Sequence, residues 1–595
     1  MKERALFLWK FYLSTVAMFM AAKVAFMVLH SGRRSFSVGD VLAVLYHGLS
    51  LDLSTSLYVL IVPFLLCVAS LWMVVPRRPF RIYNWFLAVF FGLVFVADTT
   101  LYSFWQFKLD ATCLHRFATS TDFFGSMSLG YVLLRVAIWI VVAAIILYSY
   151  SRINTRFQPV RHRVLGSLIA LLLVPFYVIG TRGGIDESTT NIGQVYFSQN
   201  QFLNHSAVNP VFSYLASFEK SANNIDDYDY FSQSACDRLM KGLYPVSSVS
   251  SDTLLNNQRP DIVVILMESA GEVIADAMPR LQRLKEEGVY FSACYGNTWR
   301  TDCGTVCTWS GYPSFPRSSV MKMPGKTRNL PSIANTLKSV GYQTHYFFGG
   351  DINFANMRSY LIGTGFAELT WKKDFTVDEQ NTSVWGVRDD IMFEAVFDQL
   401  MSGDGQHPQL IGFSTLSSHE PWDVPHHYLD DPAKNAFYYL DDCIGRFVEK
   451  LKGLPQWKKT LLVLIPDHSI SWGDTDELQR ERNRIPMLWL GGAVKAPAKI
   501  DKLCNQTDLA ATLLSQLRLP HDDFAWSRDI LSRSYTYPFA VHSFTEGFTV
   551  TDSTGFLVYD FKGDRVQTSQ SYDTLRLENM AKAILQATTK DLKEK

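Results

Sequence analysis

The apolar residues of this chain fall into two textures. Up to about residue 182 they form long unbroken stretches, near 6–29, 53–75, 83–104, 130–150 and 164–181. Each is close to the roughly 17–25 residues a helix needs to cross a bilayer. The first is long and followed by four more, so it reads as a membrane span and not a cleavable leader. The fifth is short and contains Pro175. From Asp261 onward the apolar runs shorten and alternate with amphipathic segments. DIVVILM, THYFFGG, PQLIGFSTL, KKTLLVLIP and IPMLWLGG read as strands, the continuous ones as strands of a buried parallel sheet. MPRLQRLKEEG, closed by Gly288, LPSIANTLKSVGY and QTDLAATLLSQL read as helices. This alternation predicts an α/β domain with a mostly parallel central sheet covered on both faces. Residues 539–560 alternate apolar and polar between Gly turns and predict antiparallel hairpins.

Between the two textures, residues 183–258 are polar and turn-rich. Phe202–Asn209 and Val211–Phe218 read as helices lying along a membrane surface. The expected organisation is a five-helix transmembrane region over 1–182, a linker over 183–258 and a catalytic domain over 259–595.

Charge sets the expected orientation. With the N-terminus inside, the cytoplasmic segments carry Lys2, Arg4, Arg77, Arg78, Arg81, Arg152, Arg156, Arg161 and Arg163. The short outer loops carry Arg33, Arg34, Lys108 and Arg116. That bias follows the positive-inside rule and places everything beyond about residue 182 outside the cytoplasm. Lys23, Asp52 and Asp98 fall in or beside the spans. Asp52 and Asp98 read as interface residues, the alternative being contact with a lipid headgroup or another span.

Composition narrows the function classes. The 595 residues carry 56 basic and 56 acidic side chains, so the basic excess of a nucleic-acid-binding protein is absent. Mean hydropathy of +0.04 fits a chain part membrane and part globular. Eight cysteines in 595 residues are no disulfide scaffold, and no pair has zinc-finger spacing. Six of them, from Cys236 onward, fall in the expected extracytoplasmic part, leaving room for one or two disulfides.

In open α/β sheets functional groups gather at the C-terminal ends of strands. Here VVILM ends in Glu268, LLVLIP in Asp467-His468, and LIGFSTL runs into His419. Taken singly, such residues are ordinarily surface or cap residues. Together Glu268, Asp467 and His468 make a mixed oxygen and nitrogen ligand set suited to Mn²⁺, Mg²⁺ or Zn²⁺. A hydroxyl held by such an ion becomes a better nucleophile, and Thr301 in the Thr-rich WRTDCGTVCTWSGYP is the candidate.

The order Glu268 in LMES, Thr301 in RTDCG, His419 in SSHEPW and Asp467-His468 in PDHS resembles the lipoteichoic-acid-synthase branch of the alkaline phosphatase/sulfatase superfamily. The resemblance covers essentially the whole chain, five spans included. RTDCGTVCTWSGYP and TRGG at 181–184 are similar to a version found in Gram-negative bacteria. It implies a sulfatase-like domain that moves a phosphoglycerol group from phosphatidylglycerol to an acceptor through a phospho-threonine. One divalent ion, Mn²⁺ or Mg²⁺ before Zn²⁺, would be held by Glu268, Thr301, Asp467 and His468. His419 would touch the phosphate or protonate the leaving oxygen, and Asp351, Arg358 and Trp385 would be substrate contacts. Asn356 stands where an aromatic residue is expected, which weakens the inference to headgroup. Trp385 and Asp389 in WGVRDD also match a family motif, a structural role for them being the alternative.

The resemblance implies a membrane enzyme with a phospholipid donor, phosphatidylglycerol or phosphatidylethanolamine, a glycan or lipid acceptor and no nucleic acid. Its catalytic domain would lie on the periplasmic side of a bacterial inner membrane. The first alternative is a phosphoethanolamine transferase, in which Thr305 of CGTVC competes with Thr301. A formylglycine sulfatase is disfavoured: Cys294, Cys303 and Cys307 lack the Pro and Arg of C/S-x-P-x-R, and Ser314 and Arg317 are wrongly spaced. A non-catalytic scaffold is disfavoured by the intact Glu-Thr-Asp-His set.

Overall fold

The computed structural model describes the chain except residues 32–35, 106–107, 110–128, 154–155, 219–224, 246–251, 474–479 and 562. Arg33, Arg34, Arg116 and Cys113 lie outside the described residues. The chain forms two compact units, 1–223 and 224–595, so the segment expected to be a linker is divided between them.

The N-terminal unit contains α1 (Lys2–Leu29), α2 (Val38–Ala69), α3 (Arg77–Trp105), α4 (Leu129–Ser151) and α5 (Arg163–Arg182). All five are long and apolar enough to span a membrane. Pro175 lies inside a continuous α5. Two short helices, α6 (Gln201–Ala207) and α7 (Pro210–Ala216), complete the unit. Their polar residues Asn204, His205 and Ser206, and Asn209 between them, are buried. The reason is polar. Lys23 pairs with Asp52 at 2.9 Å and donates to the Gly48 carbonyl at 2.7 Å, while the Asn209 amide donates to the other oxygen of Asp52 at 2.8 Å. Asn209 also caps α7 through Val211 and Phe212. Asp98 pairs with Lys108 and accepts from the Leu109 amide at 3.0 Å. Asp52 and Asp98 are thus members of buried ion pairs, as intramembrane charge requires. Asp52 meets Lys23 of another span, and Asp98 meets a residue of the loop that follows its own.

The C-terminal unit is built on a mixed sheet in the order β4-β3-β5-β1-β6-β7-β2-β8, with β9 also paired to β2. Its strands are β1 (Asp261–Met267), β2 (Val289–Tyr295), β3 (Gln343–Phe348), β4 (Glu368–Trp371), β5 (Gln409–Ser414), β6 (Thr460–Pro466), β7 (Arg484–Leu490), β8 (Ala498–Ile500) and β9 (Cys504–Asn505). The central strands β3, β5, β1 and β6 are parallel; β7 is antiparallel to both its neighbours. The apolar run of β1 faces two cores. Ile262, Val264 and Leu266 pack on one side, under α8 (Thr301–Ser310) and α11 (Asp508–Gln516). Val263, Ile265 and Met267 pack on the other, under α9 (Asp389–Met401) and α10 (Pro432–Lys452). The helix expected up to Gly288 stops at Leu284. Gly288 instead lets β2 approach β7, since a Cβ there would lie 2.4 Å from the Trp489 carbonyl. The expected hairpins form a four-stranded antiparallel sheet, β10 (Phe539–Phe544), β11 (Gly547–Asp552), β12 (Gly555–Asp560) and β13 (Arg565–Ser569), followed by α12 (Thr574–Glu594).

Candidate active site

β1 and β6 are neighbours in register, Met267 opposite Pro466, so the residues just beyond them, Glu268 and Asp467, emerge side by side. Ser269 turns the chain with φ 58° and donates its amide to Asp467 Oδ1 at 2.9 Å and its hydroxyl to Glu268 Oε1 at 2.8 Å. His468 Nε2 stands 3.6 Å from Glu268 Oε1 and 3.5 Å from Asp467 Oδ2. Thr301, the first residue of α8, donates its hydroxyl to Glu268 Oε2 at 3.1 Å. The helix is pressed against the strand end: a Cβ on Gly304 would lie 2.0 Å from the Asp467 carbonyl oxygen.

The electrostatics of this cluster call for a cation. Burial, with the Glu268 carboxylate beside it, pushes Asp467 up to about 7. Burial lowers the proton affinity of His468, but Asp467 and Glu268 outweigh it and leave the imidazole above its ordinary value. Asp467 Oδ2 is buried with no hydrogen-bond partner among the described residues. One ligand atom each from Glu268, Asp467 and His468 falls within 4.8 Å of the others. Two carboxylates, an imidazole and a hydroxyl fit a divalent ion that accepts oxygen and nitrogen donors.

Above the cluster opens a cavity of about 310 Å³ lined by Glu268, Thr301 and His468 on its floor and by Trp299, Phe354, His419, Glu420 and Trp422 among its walls. His419 Nδ1 lies 2.7 Å from the Glu420 carbonyl, which can only accept, so Nδ1 carries the proton and Nε2 is the exchangeable atom. The loop before His419 is held by Asp389, which accepts the Leu416 and Ser417 amides at 2.9 and 3.0 Å. Burial pushes Asp389 up to about 6.

The remaining expected contacts are placed differently. Trp385, Asp351 and Arg358 are not among the cavity-lining residues. Trp385 packs against His419, and Arg358 lies 5.8 Å from the Trp371 ring centroid. Burial lowers the Arg358 value, with Asp374 and Asp351 opposing. Asp351 accepts from the Asn353 amide at 3.0 Å. The loop they frame sends Phe354 to the cavity instead, with Ala355 and Asn356 in left-handed conformation. Thr305 is fully buried and donates its hydroxyl to the Thr301 carbonyl at 2.8 Å.

Several residues escaped the sequence reading. Trp299, Phe354, Glu420 and Trp422 sit next to or near residues that were singled out, but only the folded loops bring them to one cavity. Gln506 is more remote. Its side-chain amide lies within hydrogen-bonding distance of the carbonyls of Asp467 (2.8 Å), Pro466 (3.0 Å) and Gly304 (3.3 Å), joining α8 to the end of β6.

Comparison with known families agrees with this geometry over residues 260–519, which match the Sulfatase family model. Those residues form a sulfatase-family domain. The solved structures that resemble it share its fold. One is a protein in the alkaline phosphatase superfamily from Vibrio parahaemolyticus, 24% identical, covering 62% of this chain and 98% of that one with a TM-score of 0.53. Another is the lipoteichoic acid synthase LtaP from Listeria monocytogenes, 16% identical, covering 61% and 98% with a TM-score of 0.51.

Curated relatives of the sulfatase-family domain include phosphoglycerol transferase I of Xanthomonas campestris, 26% identical over 46% of this chain and 43% of that protein. Lipoteichoic acid synthase 2 of Bacillus subtilis is 26% identical over 46% and 48%. The matched region therefore spans less than half the length of these relatives. A sulfatase-family domain preceded by five membrane-capable helices makes this a membrane protein.

Proposed function

We propose that this protein is a membrane-anchored, metal-dependent phosphotransferase. It moves a phosphoglycerol-type headgroup from a phospholipid to an extracytoplasmic glycan or lipid acceptor through a phospho-threonine on Thr301. The observation that carries this reading is the Thr301 hydroxyl: it stands at a helix N-terminus, 3.1 Å from Glu268, on the floor of a cavity whose wall presents His419. The names of the relatives supply the phosphoglycerol class.

Glu268, Asp467, His468 and Thr301 would hold the ion, which would lower the proton affinity of the threonine hydroxyl and offset phosphate charge. In the first step the Thr301 hydroxyl loses its proton to solvent, Oγ1 forms a bond to phosphorus and the bond to the diacylglycerol oxygen breaks. The imidazolium of His419 gives its Nε2 proton to that oxygen. The phosphate then lies at the N-terminus of α8, where the first-turn amides and the helix dipole favour an anion. In the second step His419 Nε2 takes the proton of an acceptor hydroxyl, whose oxygen bonds to phosphorus as the bond to Thr301 Oγ1 breaks, and Oγ1 regains a proton from solvent. The positive-inside charge pattern supports a site outside the cytoplasm, and the helical anchor would keep it close to its lipid donor.

Glu420 favours a second reading. It lines the cavity, and its carboxylate would suit the ammonium of phosphatidylethanolamine. Incubating the purified protein with phosphatidylglycerol or phosphatidylethanolamine and Mn²⁺, then mapping adducts by mass spectrometry, separates the two. A phosphoglycerol adduct on Thr301, absent from Thr301→Ala, is the expected result. A phosphoethanolamine adduct would change the donor. A metal-loaded protein with no adduct from either lipid would overturn the proposed donors.

A further inference from the structure

β2 and β9 run parallel, and their register sets Cys294 opposite Cys504. Neighbouring strands lie about 4.8 Å apart, inside the Cα separation that a disulfide spans. Both residues are fully buried in the same core, where each is a free thiol in this structure. The other described cysteines lack such opposition. Cys303 and Cys307 are one turn apart on α8, where their Cα–Cβ bonds run side by side, and Cys67, Cys236 and Cys443 occupy separate elements.

We propose that Cys294 and Cys504 are joined by a disulfide as the domain folds. This rests on the extracytoplasmic placement above, because only an oxidising compartment sustains such a bond. The oxidant is a disulfide-bonded carrier protein of that compartment. The thiolate of one cysteine attacks a carrier sulfur, giving a mixed disulfide and one carrier thiolate. The second cysteine's thiolate then attacks the first cysteine's sulfur, closing the Cys294–Cys504 bond and releasing the other carrier thiolate. Two electrons leave with the carrier, and the two thiol protons end on its thiols or in solvent.

The fold dictates when this happens. Contact with Cys294, together with burial, holds the Cys504 thiol well above its ordinary value, and no solvent reaches either sulfur. Exchange needs an accessible thiolate, so the bond forms before β9 docks and is afterwards shielded from reductants. Its position gives it a role. Gln506, two residues beyond Cys504, donates its own amide to the Tyr295 carbonyl at 2.9 Å, so the cross-link secures the segment that ties the nucleophile helix to Asp467.

The test uses the full-length protein, extracted from membranes without reductant, trapped in acid, denatured, alkylated with iodoacetamide and digested. A linked peptide pair containing Cys294 and Cys504, two hydrogens lighter than the reduced pair, is expected. It should survive incubation of the folded protein with reductant and vanish when reductant is added with denaturant. Alkylation of both cysteines without reductant would overturn the proposal. A second measurement fixes the compartment. Tyr572 is 99% exposed, and Tyr572→Cys should react with a membrane-impermeant maleimide in intact spheroplasts. Label at position 572 with Cys294 and Cys504 both free overturns the disulfide alone. Free thiols without label overturn the placement, and the disulfide with it.

Discussion

Trp385 stands edge-on to His419 with ring centroids 4.7 Å apart, and both side chains donate to one acceptor, the Glu420 carbonyl, at 2.5 and 2.7 Å. Trp385 therefore positions the imidazole. His419→Ala is expected to lower kcat about 10²–10⁴-fold, the usual worth of a general acid–base group. Trp385→Ala should lower kcat by about 10–100-fold with KM for the lipid nearly unchanged, and Trp385→Phe should restore most of it. Steady-state kinetics in mixed micelles decide the matter. A raised KM at constant kcat would instead make Trp385 the substrate contact that the family resemblance implies.

A divalent ion held by this cluster would replace the protons that Asp467 and His468 otherwise hold. Adding Mn²⁺ to EDTA-treated protein at a hundred times its Kd should stabilise it by about 2.7 kcal/mol. Asp467→Asn should abolish that gain. It should also leave the metal-free protein at least as stable as the parent, because it removes a buried acid crowded by Glu268. Denaturant unfolding with and without the ion reads both effects.

Asp389 supplies a pH signature. Its carboxyl titrates near 6 in the fold, raised chiefly by burial, against about 3.9 in an unfolded chain. The folded state binds the extra proton between those values. This contribution to stability is therefore complete below about pH 4 and is lost as pH rises through 6. Relative to Asp389→Asn, the parent should lose about 3 kcal/mol across that window. Urea unfolding at several pH values tests the sign. A parent that gains stability relative to Asp389→Asn as pH rises would contradict it.

In the membrane unit, Asp52→Ala strands the buried Lys23 ammonium and the Asn209 amide. Losing one partner of such a pair costs about 3–5 kcal/mol, whereas replacing both with apolar residues is often tolerated. Asp52→Ala should yield little folded protein in detergent, and Lys23→Met with Asp52→Leu should recover most of it. Size exclusion after mild heating separates the two outcomes.

The sequence showed whatever is encoded by runs and strand ends. The uninterrupted apolar stretch before Glu268 and that before Asp467 marked β1 and β6, and residues that follow adjacent parallel strands must meet. β4 and β9 were invisible because strands as short as Glu368–Trp371 and Cys504–Asn505 carry no period. The direction of β7 depends on its neighbours, not on its own composition. Gln506 is a single polar residue whose importance lies in three carbonyls from two distant segments, a relationship no local pattern expresses. Asn204 and Asn209 lie in a stretch read as a surface helix, and their side chains are buried because Phe197, Ser198 and Asp52 supply their hydrogen bonds, partners no local pattern names.

The contact between Gly304 and the Asp467 carbonyl leaves no room for even a methyl group. The helix that carries Thr301 and the strand end that carries Asp467 consequently shift together or not at all. Substitutions elsewhere in the domain can reshape the rim formed by Phe354, Glu420 and Trp422 while leaving the spacing of nucleophile and ligand untouched. Under the proposed chemistry, new acceptors would be reached through the rim loops, while the floor of the cavity stays fixed.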